Sequence, residues 1–170
     1  YYDAKARALY IKRSPAAPSW RVVEVSTRAF LLYGQGIEQL TVSNLRFSHA
    51  NTSAVWHTGA ITLNGNRLEL DRLEVTQVDA AGIDIAGDDN IIRHSTANHC
   101  GQVGIKAKGK RMQLVGNETS YNNTRGFNKW WEAGGAKFVG EGGLQDSTVI
   151  RHRAVGNNGE MDRAVGNARV

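Results

Sequence analysis

Asp84, Lys106 and Lys137 have the residue types and spacing to do chemistry together. Lys106 follows Asp84 by 22 positions (106 − 84), and Lys137 follows Lys106 by 31 (137 − 106). Side by side, such groups suit work on a sugar polymer. A basic side chain can take the proton α to a uronate carboxyl while a cation or arginine neutralises that carboxylate. Lys106 or Lys137 is then the base, and Arg93 and Arg151 are the clamps. Alternatively, two carboxylates roughly 5–9.5 Å apart hydrolyse a glycosidic bond, and Asp84 with Glu132 is the candidate pair. Trp130 and Trp131 adjoin Glu132 and offer flat faces for a sugar ring. Asp84, Asp88 and Asp89 are candidate oxygen ligands for Ca²⁺, although a calcium site needs about six to eight oxygens. The bland alternative is a surface ion pair worth about 0–1 kcal/mol, with one or both tryptophans packed on the side of the solenoid.

A repeat is what would bring these residues together. Gly59–Gly65, Ala81–Gly87 and Val103–Gly109 each read small, apolar, polar, apolar, polar, Gly, with Ile61, Ile83 and Ile105 spaced by 22. A further copy, Gly135–Gly140, lies 31 on. Leu70, Ile92 and Leu114 hold the same 22-residue spacing. Ile92-Arg93-His94 reappears as Ile150-Arg151-His152, and Gly101 as Gly159, both displaced by 58. Period-two alternation closed by glycine describes short strands. One such coil cannot bury its apolar face alone, so coils must stack, about 4.8 Å apart. The expected fold is all-β, a parallel β-helix of about five coils. Ile61, Ile83, Ile105 and Ala136, with Leu63, Ile85, Ala107 and Phe138, then face inward. Thr62, Asp84, Lys106 and Lys137 form one outward row.

Cys100, Asn122 and Asn158 share one repeat position, and Asn98, Ser120 and Gly156 another, where Asn and Gly suit tight corners. Asn51–Trp56 is an insertion of about six residues (28 − 22), and about nine (31 − 22) are added between Asn123 and Gly135. Insertions in solenoids emerge as loops, often on the binding face. The expected organisation is a β-rich lead-in over 1–36, coils over 37–159 and an irregular tail over 160–170. Leu9-Tyr10-Ile11 and Trp20–Val25 read as strands of that lead-in, parted by Ser14–Pro18.

Composition is ordinary for a folded domain, with 41% apolar and 22% charged residues in 170. The net charge of +5 is scattered, with no basic tract of five or more residues. That fits a solvated, mildly basic surface, and nucleic acid is not the expected partner. No apolar run approaches the roughly 18 residues of a membrane span, so no membrane partner is expected. Tyr1-Tyr2-Asp3 is not a signal peptide, though a cleaved one could precede it. The single cysteine, Cys100, reads as a buried small residue.

Tyr1–Tyr10, Val23–Ser26, Leu40–Ala50, Gly134–Phe138 and Asn157-Asn158-Gly159 are similar to the lead-in, first coil and later coils of bacterial right-handed parallel β-helix proteins in the pectate-lyase-like superfamily. The resemblance covers most of the chain. It implies a secreted or cell-surface protein that acts on, or binds, an extracellular polysaccharide or oligosaccharide, as a lyase or a glycoside hydrolase. The alternative is a non-catalytic glycan-binding or structural module, a fragment of a longer protein, self-associating through its coil ends. The superfamily also holds epimerases and phage tailspikes, and fold does not choose among them. Where related proteins continue Asn-Asn-Gly into a Gly-x-Trp-x-Asp strand, this chain reads Gly159-Glu160-Met161-Asp162, so no catalytic carboxylate is carried onto Asp162.

Overall fold

The computed structural model describes residues 2–3, 5–10, 24–53, 58–131, 133–138 and 142–164, with backbone alone at residue 2 and residues 160–164. A short antiparallel hairpin, β1 (Tyr2–Asp3) and β2 (Ala8–Leu9), opens the chain. Ile11 and 20–23, expected in lead-in strands, lie outside the described residues. The first coil contributes β3 (Leu32–Glu38), β4 (Thr41–Ser43) and β5 (Arg46–Ser48). The second contributes β6 (Gly59–Asn66), β7 (Glu69–Asp71) and β8 (Glu74–Thr76). The third contributes β9 (Ala81–Ala86), β10 (Ile91–Arg93) and β11 (Thr96–Asn98). The fourth has β12 (Val103–Lys110) and β13 (Gln113–Val115). The fifth has β14 (Gly134–Phe138), β15 (Leu144–Gln145) and β16 (Thr148–Ile150), and β17 (Glu160–Ala164) begins a sixth.

Every coil-to-coil pairing is parallel, and the strands stack into three sheets. The long sheet runs β3-β6-β9-β12-β14-β17, the second β4-β7-β10-β13-β16, and the third β5-β8-β11. Single bridges through Glu118 and Arg153 carry the third sheet onward. Among the described residues there is no helix. The solenoid therefore begins at Leu32, ahead of position 37, and Glu160–Ala164 is a strand paired to β14 rather than an irregular tail.

Alternation sets the core. Ile61, Ile83, Ile105 and Ala136 are fully buried in one column. Leu63, Ile85, Ala107 and Phe138 form the neighbouring column, the small Ala107 being followed one rung on by the large Phe138. Leu70, Ile92, Leu114 and Val149 fill the second sheet's inner face.

Each corner turns on one residue with positive φ. Gln39, Arg67, Asp89, Arg111 and Asp146 hold the first corner, and Asn44, Arg72, His94, Gly116 and Arg151 the second. His49, Gln77, His99, Tyr121 and Gly156 hold the third. Left-handed backbone is costly for side chains other than glycine. It is offset here because the corner N–H reaches the next rung's carbonyl, as from His94 to Val115 at 2.9 Å.

Buried polar side chains just past the corners bond the rung below. The Cys100 N–H donates to Asn122 Oδ1 and Asn122 Nδ2 donates to the Ala97 carbonyl, each at 2.9 Å. Asn90 bonds Leu68 N–H and the Gly65 carbonyl in the same way, and Asn117 bonds Ser95 and Ile92. One rung on from Asn122 the role falls to Asn157, not Asn158: its Oδ1 accepts from Asn122 N–H at 2.8 Å. Likewise Val149 pairs with Leu114, which pairs with Ile92, so Arg151 aligns with His94 and the displacement is 57, not 58. The interval from Leu114 to Val149 is 35, against 31 from Lys106 to Lys137, so four residues (35 − 31) are added between β14 and β16. A one-residue slip of this kind exchanges inward and outward sides. Burial pushes the Cys100 thiol up to about 12, so it stays neutral and serves as packing.

A charge cluster closes the second sheet's outer face. Asp71 meets Arg72 at 2.7 Å, His94 at 3.2 Å and Arg93 at 3.5 Å, and Arg93 also pairs with Glu69. Burial pushes the Asp71 carboxyl up, but the His94 hydrogen bond and the charges of Arg72 and Arg93 together outweigh it. The carboxyl is held below the usual carboxylate range.

Two outcomes test this architecture. Asn122→Ala leaves a buried N–H and a buried carbonyl unpaired and should lower stability by about 1–3 kcal/mol in urea unfolding; an unchanged midpoint contradicts the bonding role. A carboxyl whose pKa is lowered on folding stabilises the protein above its unfolded pKa, and that contribution is lost as pH falls through the folded pKa. The stability gap between wild type and Asp71→Asn should therefore be full near pH 6 and shrink below about pH 4. A gap constant with pH rules out the linkage.

Candidate functional site

The outward row of the long sheet is in register. Tyr33 pairs with Thr62, Thr62 with Asp84, Asp84 with Lys106, Lys106 with Lys137, and Lys137 with the backbone of Arg163. Strand alternation puts these side chains outside because Leu32, Ile61, Ile83, Ile105 and Ala136 occupy the inside. Lys106 Nζ lies 3.6 Å from Asp84 Oδ2, with the two side chains 13% and 20% exposed. For outward charged groups this is a recessed position. Lys137 is more recessed still, at 2%. The Thr62 hydroxyl turns back on its own strand, accepting from Gly59 N–H at 3.0 Å and donating to the Gly59 carbonyl at 2.9 Å. Thr62 also borders a cleft of about 390 Å³ shared with Ala29, Phe30, Tyr33, Gln35, Ser53 and Thr58.

The second insertion leads directly into β14 of this sheet. Arg125 ties its start to the corner below through Asp79 at 3.3 Å. Asn123 bonds Phe127 at both N–H and carbonyl, which fixes the turn. Trp130 is 69% exposed and Trp131 45%. Lys129 Nζ sits 5.3 Å from the Trp130 ring centroid. Glu132 lies outside the described residues, so the pairing with Asp84 is not described.

The remaining expected residues lie elsewhere. Arg93 is on β10, in the second sheet, bound to Glu69 and Asp71, and Arg151 is a second-corner residue exposed to solvent. Neither shares the face of Lys106 and Lys137. Asp88 and Asp89 stand at the first corner, where Arg111 engages Asp89 at 2.7 Å and Asp88 at 3.3 Å. Asp88 also accepts from the Lys110 N–H at 3.0 Å. Arg111 holds the Asp89 carboxyl below the usual carboxylate range. These oxygens face a guanidinium, and among the described residues no group of three or more His, Cys, Asp or Glu is placed to hold a metal ion.

Three residues of the region escaped the sequence reading. Tyr33 and Phe30 precede the expected first coil, and the signal that finds Tyr33 is the alternation Leu32-Tyr33-Gly34-Gln35. Gln102, at the head of β12, is 1% exposed with both side-chain amide atoms lacking a hydrogen-bond partner. Its neighbours in sequence give no signal of that.

Among the described residues no helix is long and apolar enough to cross a membrane. No curated protein and no solved structure matches the chain significantly. A family model described as the right-handed β-helix region matches residues 28–158. That span takes in all the coils from β3 to β16, including the Asp84–Lys106 pair. With three stacked parallel sheets, 22-residue coils and this match together, the chain belongs to the right-handed β-helix family.

Proposed function

We propose that the outer face of the long sheet holds an extracellular polysaccharide lying along the solenoid axis. One observation carries the reading: a recessed, in-register row of Asp84, Lys106 and Lys137 lies on the sheet whose strand β14 follows directly on a loop with two solvent-exposed tryptophans. Rungs repeat about every 4.8 Å, so the row offers polar contacts at regular steps to a polymer of regular units. Exposed indoles supply large, rigid apolar faces, and water leaves them when a ring stacks. The charge of Lys106 favours a polymer that bears carboxylates. Binding comes first in this reading. The Lys106 ammonium is engaged by Asp84, and the two arginines expected as clamps sit on or beside another sheet.

The second reading is turnover on the same face, as a lyase or glycoside hydrolase. It is favoured by the contact between Asp84 and Lys106, since a charged pair in a recess can serve both proton transfer and charge stabilisation.

One set of assays separates the two. The protein is titrated with acidic and neutral polysaccharides while ultraviolet absorbance of unsaturated products and release of reducing ends are followed. The binding reading expects saturable binding without products, weakened about tenfold in Trp130→Ala, a loss of about 1.4 kcal/mol. The turnover reading expects products that disappear in both Asp84→Ala and Lys106→Ala with circular dichroism unchanged. Binding indifferent to Trp130→Ala together with full activity in both row variants would leave neither reading standing.

A further inference from the structure

The row does not begin at Thr62. Tyr33 continues it one rung toward the N-terminus, on β3 at the edge of the long sheet, and is 57% exposed. Phe30 lies against it, ring centroids 4.9 Å apart and planes at 50°, which limits the ring's freedom. Gln35, two residues on, leaves the same outer face. With Ser53, Thr58 and Thr62 these residues line the cleft of about 390 Å³. That volume lies within the range of small-molecule sites, which combine an apolar lining with a few polar groups. Among its described lining residues none carries a carboxylate, ammonium, guanidinium or imidazole.

The geometry points to a subsite at Phe30 and Tyr33 for one neutral sugar ring, at the N-terminal end of the proposed polysaccharide face; the inference rests on that proposed function. An aromatic face flanked by the hydroxyl side chains of Ser53, Thr58 and Thr62 and the Gln35 amide matches the chemistry of a pyranose, which has an apolar C–H face and hydroxyls around its edge. A uronate would bring its carboxylate against a described lining that is mostly apolar and carries no charge, at a desolvation cost that no described cation there offsets. Carboxylate-bearing units instead belong beside Lys106, three rungs and about 14 Å from Tyr33. Among the described residues the face thus runs from an uncharged end to a charged one, and a ligand engaging both ends spans several sugar units. Continuity of register with Asp84 and Lys106 is what makes a sugar the occupant, in preference to an unrelated apolar group.

The test titrates wild type, Tyr33→Ala, Tyr33→Phe and Lys106→Ala with neutral gluco-, manno- and xylo-hexasaccharides and with oligogalacturonate, by calorimetry. At least one neutral oligosaccharide should bind wild type, lose about tenfold or more in affinity in Tyr33→Ala and keep its affinity in Tyr33→Phe. Should Tyr33→Ala prove less stable on thermal melting, Gln35→Ala probes the same cleft without disturbing the Phe30 contact and should also weaken neutral binding. Neutral binding unaffected by both cleft variants overturns the subsite, and so does a cleft that takes anilinonaphthalene sulfonate with no competition from neutral oligosaccharides. If oligogalacturonate still binds in a Lys106-dependent way in either case, the polysaccharide face survives and only the subsite falls. Absence of binding by any glycan to wild type removes both.

Discussion

The structure depends on parallel backbone hydrogen bonding between successive coils in strict register. One coil has too little apolar surface to be stable alone, so each rung takes its core from the rungs on either side. In-register stacking turns a spacing in sequence into a column in space. Ile61, Ile83 and Ile105 become a continuous core, and Thr62, Asp84, Lys106 and Lys137 become neighbours on the outside. The corner residues with positive φ and the buried Asn side chains serve the same end. Asn90, Asn117 and Asn122 each bond backbone of the rung below, so backbone groups left unpaired at the bends are satisfied inside the solenoid.

The same constraint sorts charges by face. A 22-residue coil visits three sheets, and residues on different sheets do not meet however suggestive their types. Arg93 finds Glu69 and Asp71 on its own sheet, and Arg111 finds Asp88 and Asp89 one rung below. These pairs neutralise most of the charge on their faces. The long sheet differs. Its row is recessed rather than spread on the surface, with Tyr33 at its first rung and the exposed Trp130 and Trp131 on the loop that leads into β14. The second insertion enters between the third side of the coil and the long sheet, and the chain passes from it directly into β14, which carries Lys137.

Much of this was legible in the sequence because the repeat is local and its alternation clean. The inward columns and the outward row follow from Gly-Ala-Ile-Thr-Leu and its copies, and Lys137 was placed correctly across an insertion because Gly-Ala-Lys-Phe keeps the pattern. The first rung was missed because Tyr33 stands 29 positions before Thr62 rather than 22, and β3 carries a bulge between Gln35 and Ile37. The last rung was read one residue out of step. The four residues added between β14 and β16 have no pattern of their own, and Ile150-Arg151-His152 copies Ile92-Arg93-His94 in type but not in register. The period also says where a residue falls in a coil without saying which of three faces it leaves, so Arg93 was set beside a row that it never meets. Gln102 gave no signal, because burial of its amide depends on the loop packed over the corner.

Register on the long sheet is the claim beneath the rest, and a disulfide reports it directly. Cysteines replacing Asp84 and Lys106 are paired neighbours on parallel strands, whose separation of about 4.8 Å suits the Cα distance of about 4.4–6.8 Å that a disulfide requires. With the buried Cys100 replaced by Ala, mild oxidation of the folded protein should cross-link Asp84→Cys with Lys106→Cys rapidly and should cross-link Asp84→Cys with Lys108→Cys much more slowly. Equal rates in the two pairs, or no bond in the first, would contradict the stacking from which both the architecture and the site are built.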